Sequence, residues 1–252
     1  MIISAVIPLH NKSATIARAL QSIFAQTRIP DALIVVDDGS TDSSGAECRA
    51  VLATAPHGIA CQLISQYNAG VSVARNVGAE AIQSDLIAFL DADDEWLPGH
   101  VAELERLATK VPNVGILSTR HARLTPQGQV APEPSALPAG FFGLVENGLA
   151  AYSQGYGILH TSSIAVRRQA WQRSGGFPPG ARKSQDIHLW LRLLLTEPFA
   201  HSDICTAIWH EEATGVVRRS GAMPAHFSYF LGTPEGRAHL KNPDLVTFLA
   251  TN

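Results

Sequence analysis

The sequence predicts an α/β domain: a mostly parallel, doubly wound sheet with helices on both faces. Three observations predict it. Over the first 120 residues, apolar runs of strand length alternate with longer amphipathic stretches, the order that βαβ units produce. Several of those runs end abruptly in acidic or glycine turns, as a parallel strand does where it opens onto a sheet edge. Hydrophobic residues make up 46% of the chain and charged residues 16%, enough apolar material for a packed core.

In chain order, Ile2 to Pro8 reads as the first strand and Lys12 to Gln26 as a helix, with Ile16, Ala19, Leu20, Ile23 and Phe24 on one face. Leu33 to Val36 is a buried-type strand running into Asp37-Asp38-Gly39-Ser40-Thr41-Asp42, where Thr41 or Asp42 is expected to cap a helix through Leu52. Ala60 to Ser65 is a third strand, Val71 to Ile82 a helix and Leu86 to Leu90 a fourth strand. A helix over Pro98 to Thr109 and a strand over Val114 to Thr119 follow. The pattern then changes. Thr125 to Ala139, with four prolines and Gly128, reads as loop with a short hairpin. A weak apolar helix is expected around Phe141 to Ala150, a strand over Ser163 to Arg167, and a short helix from Arg168 to Ser174 ending at Gly175-Gly176. Asp186 to Thr196 is a clear amphipathic helix, and beyond Arg219 the periodicity is weak. The chain thus divides into a nucleotide-binding type of half, 1–120, and a more variable half, 121–252, without a clean linker.

Bulk properties exclude several classes. A net charge of −3 argues against a nucleic-acid binder, which carries a basic face. The ten histidines are scattered, and no His-x-x-x-His or Cys-x-x-Cys pair offers a zinc site. Three widely spaced cysteines, Cys48, Cys61 and Cys205, argue against a disulfide framework and fit a reducing cytosol. Ile2 to Leu9 lacks a basic flank and contains Pro8, so it reads as a strand and not as a leader. Leu137 to Tyr152 is cut by Glu146 and Asn147 and falls short of a membrane span. The expected location is the cytoplasm, with peripheral attachment at the inner face of a membrane left open.

The chemistry gathers at Asp91-Ala92-Asp93-Asp94, three carboxylates closing the fourth strand. Such groups repel one another unless a cation sits among them, and magnesium typically takes one or two carboxylates plus substrate phosphates. Two readings stand side by side: a metal-bridged phosphate site, or a solvated acidic turn before the next helix. Asp37-Asp38 and the turn Leu9-His10-Asn11 also follow predicted parallel strands, and in a doubly wound sheet all these ends share one crevice. Between them Asn68-Ala-Gly-Val-Ser-Val-Ala-Arg75-Asn76 is a glycine turn entering a helix, a setting suited to an anion.

These pieces in this order resemble the family 2 glycosyltransferases of the GT-A fold. The resemblance rests on Ala5-Val-Ile-Pro-Leu-His-Asn-Lys12, Val36-Asp-Asp-Gly-Ser-Thr-Asp42, Asn68 to Asn76, Phe89-Leu-Asp-Ala-Asp-Asp94, and Gly175-Gly-Phe177 with Gln185-Asp186-Ile-His-Leu-Trp-Leu-Arg192. It covers residues 2–196. It implies that Asp37, with Asp38 beside it, contacts the nucleotide base, and that Pro8, Leu9, His10 and Asn11 frame it. Arg75 would lie near the base or diphosphate, and Asp91, next to Ala92, would face the ribose or donor sugar. Asp93 would hold Mn(II) or Mg(II) against the diphosphate, and His210 would complete the metal shell or touch the diphosphate, or else be an ordinary surface or core histidine. Asp186 matches the catalytic base, although position alone reads it as a helix N-cap or first-turn residue. Many relatives carry an acidic residue just before that aspartate; here it is Gln185. Arg218-Arg219 would close over the diphosphate or stand solvated.

The implied reaction is inverting transfer of a sugar from a nucleotide-diphosphate donor, a UDP-sugar by default, to a carbohydrate or glycolipid acceptor. Two other classes compete. A haloacid dehalogenase-type phosphatase also uses Asp-x-Asp after a buried strand, but it needs Thr or Val soon after, where this chain has Asp94-Glu95, and it uses the first strand. A non-catalytic sugar-nucleotide-binding protein would not need Asp91, Asp93 and Asp186 together.

Overall fold

The computed structural model describes residues 1–181, 184–211 and 233–246. Its elements run β1 (Ile3–Leu9), α1 (Ile16–Phe24), β2 (Ala32–Asp38), α2 (Ser44–Leu52), β3 (Ala60–Gln66), α3 (Val71–Glu80), β4 (Leu86–Phe89), β5 (Glu95–Trp96) and α4 (His100–Lys110). Then come β6 (Ile116–Leu124), β7 (Val130–Pro132), β8 (Phe142–Val145), α5 (Gly148–Gln154), β9 (Ile164–Arg167), α6 (Arg168–Ser174), α7 (Gln185–Thr196), β10 (Phe199–His210) and α8 (Pro234–His239). Single 3-10 turns at Tyr156–Ile158 and Thr161–Ser163 lead into β9.

One sheet holds these strands in the order β3-β2-β1-β4-β9-β6-β10-β5, with β7 added to β6 and β8 to β10. β3, β2, β1 and β4 are mutually parallel, whereas β9 runs antiparallel to both β4 and β6. The sheet is doubly wound because β1 and β2 are apolar on both sides, as buried parallel strands are. Ile3, Ala5, Ile7 and Leu9, with Leu33 and Val35, pack on Ile16, Leu20 and Ile23 of α1 and on Val101, Leu104 and Leu107 of α4. Val6, Ile34 and Val36 pack on the other side against Ala74 of α3, Trp171 of α6 and Leu189, Trp190 and Leu193 of α7. β6 crosses position 120, so the two halves read from the sequence share one sheet.

Two expectations are corrected, and one strand is added. The helix around Phe141 to Ala150 is instead β8 followed by α5: Phe142–Val145 pairs antiparallel with Phe199–Ser202 of β10, and Asn147 caps α5 by accepting the Ala150 N–H at 3.0 Å. An open strand edge on β10 thus overrides weak helical periodicity. α2 starts at Ser44, with Ser43 at the N-cap, one residue later than an Asp42 cap implies and two later than a Thr41 cap; Asp42 accepts from the Ser44 N–H at 2.9 Å, just outside the helix. β5, only two residues long, has no counterpart in the sequence reading. The hairpin expected within Thr125 to Ala139 is β6–β7, closed by Thr125 N–H to Gln129 O at 2.9 Å. Arg218-Arg219 lie outside the described residues. Among the described residues, no helix is long and apolar enough to cross a membrane, and the three cysteines are free.

Candidate active site

The C-terminal ends of β1, β2 and β4 and the N-terminus of α3 enclose a cleft of about 430 Å³. Pro8, Leu9, His10 and Lys12 line it from the β1 end, Asp38 and Asn68 from the β2 and β3 ends, Gly70, Val71, Ala74 and Arg75 from α3. Asp91, Ala92 and Asp93 close it from the β4 end, and Gln185 from the start of α7. Its size suits a small ligand, and its place at the open strand ends is where α/β sheets bind one.

Two ion pairs cross the cleft. Arg75 Nη2 donates to Asp91 Oδ1 at 2.5 Å, and Lys12 Nζ donates to Asp93 Oδ2 at 2.5 Å. Arg75 is buried, and its guanidinium lies over the Phe177 ring, 4.9 Å from the centroid. Its Nε and Nη1 are buried without a hydrogen-bond partner among the described residues. Phe177 is itself fixed by its neighbour in the motif: Asn76 accepts the Phe177 N–H at 2.9 Å and donates to Phe177 O at 2.8 Å. Gly176 makes that approach possible. Its φ is +73°, and a Cβ there would lie 2.7 Å from Asn76 Oδ1. So Arg75-Asn76 and Gly175-Gly176-Phe177, far apart in the chain, form one unit that aims the arginine.

The two aspartates after β2 part company. Successive strand residues face opposite sides, and Asp38 faces α3. It is buried and accepts from Gln66 Nε2 at 2.7 Å, Ala69 N–H at 2.8 Å and Gly70 N–H at 2.9 Å, which fixes the β3–α3 turn. Asp37 faces α2, where its Oδ1 accepts the Ser40 N–H at 2.9 Å and its Oδ2 lies against Gly45. Asp37 therefore does not line the cleft. Neither does Asn11, which turns at φ 51° so that its Oδ1 accepts the Thr41 N–H at 2.8 Å.

Asp94 is buried, accepting from Ser162 Oγ at 2.5 Å and from the His210 N–H at 3.1 Å. Burial, then the charges of Asp91 and Asp93, hold its carboxyl well above the ordinary range. His210 is buried beside it, its Nε2 3.3 Å from Glu95 Oε1, and is not among the residues lining the cleft. Asp186 stands in the first turn of α7, after Ser184 at φ 49°. Its carboxylate does not line the cleft, but with those of Asp91 and Asp93 it acts on His160, whose pKa is lowered chiefly by burial. The sequence reading missed Lys12, His160 and Ser162 as site residues. No spacing signalled the last two, whereas Lys12 closes the first motif.

The residues present fit a divalent metal. Asp93 Oδ1 and Asp91 Oδ2 make no hydrogen bond among the described residues. No group of three His, Cys, Asp or Glu converges among those residues, so a metal here would complete its shell with phosphate and water oxygens, as magnesium commonly does.

Fold and cleft define an α/β protein with a ligand-sized cleft at the open ends of its parallel strands. The profile of glycosyl transferase family 2 matches residues 4–170, and the chain belongs to that family. The glycosyltransferase YibD of Escherichia coli is 38% identical over 96 residues, which are 38% of this chain and 27% of that protein. The succinoglycan biosynthesis protein ExoW of Rhizobium meliloti is 35% identical over 43% of this chain and 34% of its own length. The chain thus spans about a third or less of these relatives. The structure of S. aureus TarS 1-349 with UDP-GlcNAc superimposes with a TM-score of 0.73 at 17% identity, over 100% of this chain and 72% of that one. The Pyrobaculum calidifontis mannosyltransferase PcManGT, in complex with GDP-Man and Mn2+, gives 0.66 at 21% identity, over 99% and 73%. The central sheet is accordingly that of the GT-A glycosyltransferases.

Proposed function

We propose that the chain is an inverting glycosyltransferase moving a sugar from a nucleotide-diphosphate donor, a UDP-sugar first, to an acceptor hydroxyl in polysaccharide, lipopolysaccharide or glycolipid synthesis. The observation that carries this reading is the cleft itself, where Lys12 and Arg75 cross to Asp93 and Asp91 at the open strand ends. The UDP-GlcNAc bound by TarS and the succinoglycan role in the name of ExoW support the donor and acceptor classes.

Each residue then has a task. Pro8, Leu9 and His10 frame the base, with Asn68 opposite and Asp38 holding the turn that carries it. Arg75, fixed on Phe177, offers its charge to the diphosphate. Asp93 would hold Mn(II) or Mg(II), a Lewis acid that neutralises charge on the departing nucleoside diphosphate. Asp91 orients the sugar or ribose while held by Arg75. Asp186, rigid in the first turn of α7, takes the acceptor proton. A single carboxylate opposite the leaving group gives one displacement and inversion; the logic is borrowed from glycoside hydrolysis, where retention needs a second carboxylate as nucleophile. The protein acts at the cytoplasmic side, with any membrane contact peripheral.

The test is release of nucleoside diphosphate from a panel of UDP-sugars and GDP-mannose with manganese present. Asp186→Ala is expected to lower turnover by about 10²- to 10⁴-fold, the worth of a positioned general base, with donor affinity kept. Asp93→Ala is expected to remove the response to added manganese. Turnover intact in both variants overturns this mechanism, and a wild-type chain that binds no donor by calorimetry overturns the transferase reading. Binding without turnover would make it a sugar-nucleotide-binding protein instead.

A further inference from the structure

His160 ends the segment before the 3-10 turn Thr161–Ser163 and has no task in the scheme above. Its Nδ1 accepts the Ser162 N–H at 3.2 Å, so the neutral ring carries its proton on Nε2. Ser162 also donates from Oγ to Asp94 Oδ2 at 2.5 Å and accepts the Asp91 N–H at 3.2 Å. The imidazole is therefore keyed to the very turn that carries Asp91 and Asp93. Its ring is held as well, with the His121 ring centroid 4.7 Å away and that of Trp209 6.0 Å away.

The other edge of the ring is open. The side chain of His160 is 23% exposed, and Nε2 meets no hydrogen-bond partner among the described residues. Asp94 Oδ2 lies 3.9 Å from Nδ1, and the charges of Asp91, Asp186, Asp93 and Arg75 all act on the ring. Burial outweighs the pull of those carboxylates and favours the neutral ring. The result is a fixed, uncharged N–H donor that is keyed to the acidic turn through Ser162 and close enough to the candidate base to feel its charge. An uncharged donor suits an uncharged acceptor atom such as a sugar oxygen; a phosphate would be better met by Lys12 and Arg75.

We propose that His160 binds the transferred sugar, its Nε2–H donating to an oxygen of that sugar and so holding the anomeric carbon between the diphosphate and Asp186. The assignment rests on the transferase reading. It predicts a residue that senses the sugar and ignores the nucleotide.

His160→Asn is the informative substitution. An asparagine keeps a side-chain oxygen for the Ser162 N–H, as in an Asx turn, and removes the distal N–H. The expected result is an unchanged melting temperature and unchanged UDP affinity, with kcat/KM for the nucleotide sugar lower by about tenfold or more, the worth of one hydrogen bond in a desolvated site. An unaltered kcat/KM, or a parallel loss of UDP affinity, overturns the assignment. A second measurement uses the wild-type protein and so does not depend on the variant folding. Imidazole 15N resonances are followed while UDP, then UDP-glucose, UDP-galactose and UDP-GlcNAc, are titrated in. Nε2 of His160 is expected to shift with a nucleotide sugar and stay put with UDP. Sugar-nucleotide binding that leaves Nε2 unmoved overturns the role of His160 alone. Binding of none of these ligands overturns the transferase reading, and the assignment falls with it.

Discussion

At the scale of single residues, neighbours in a motif do different work. Asp37 and Asp38 are adjacent and chemically identical, yet strand alternation sends one to α2 and the other to the cleft. Asp38 is spent on three N–H donors, which makes it a structural anchor for the turn before α3. Asp38→Ala strands those donors in a buried place, and stability is expected to fall by about 2–3 kcal/mol, read from urea midpoints. Nucleotide affinity should fall with it, since Asn68 and Gly70 line the cleft. The types and order of these residues were legible in the sequence. Their facing was not, because a run of two carboxylates at a strand end carries no parity signal until the register is known. His160 and Ser162 were illegible for another reason: they reach the acidic turn through a 3-10 turn, whose contacts follow no fixed sequence period.

At the scale of elements, periodicity served best where a segment touches one neighbour on one face. α1 presents Ile16, Ala19, Leu20 and Ile23 to the sheet, as the sequence pattern requires. It served worst where a partner strand decides the conformation, as at β8, or where a bridge is too short for any period, as at β5. α3 shows a different constraint. Its axis lies so close to the sheet that a Cβ on Gly78 would come within 2.5 Å of Val6 Cγ1 and 3.2 Å of Val36 Cγ2. Helix propensity alone would favour alanine there by about 1 kcal/mol. The close approach reverses that sign: Gly78→Ala is expected to cost about 1–3 kcal/mol through overpacking, measured by chemical denaturation. A displaced α3 would also carry Arg75 away from Asp91, so turnover should drop beyond what stability explains.

At the scale of the whole molecule, buried polar chains cross the seam between β6 and β10, the parallel pair that lies beyond β9 from the first four strands. Thr206 Oγ1 donates to Thr119 Oγ1 at 2.7 Å, so it accepts from His100 Nδ1, also 2.7 Å away. His201 Nδ1 lies 2.7 Å from Ser118 Oγ, which donates to Ile158 O at 2.6 Å. Both imidazoles are fully buried, and their Nε2 atoms have no hydrogen-bond partner among the described residues. A proton added at Nε2 would be a buried charge with no acceptor. Burial accordingly lowers His100 to about 3 and His201 to about 4, and His188 in α7 is also lowered to about 4. In the unfolded chain an imidazole titrates near 6.5. Between these limits the unfolded chain binds the extra protons, so stability is whole above about pH 6.5 and is lost as pH falls toward about 4. Each fully buried ring contributes a slope of up to about 1.4 kcal/mol per pH unit. Asp94 opposes this, because its raised carboxyl favours the folded state on acidification. Urea midpoints should therefore be level from pH 8 to 7 and fall steadily from pH 6 to 4. His201→Asn, unable to take up a proton, should flatten that decline by about one proton's worth. A midpoint indifferent to pH across the window would mean that these rings open to water and are not the neutral struts on which the seam depends.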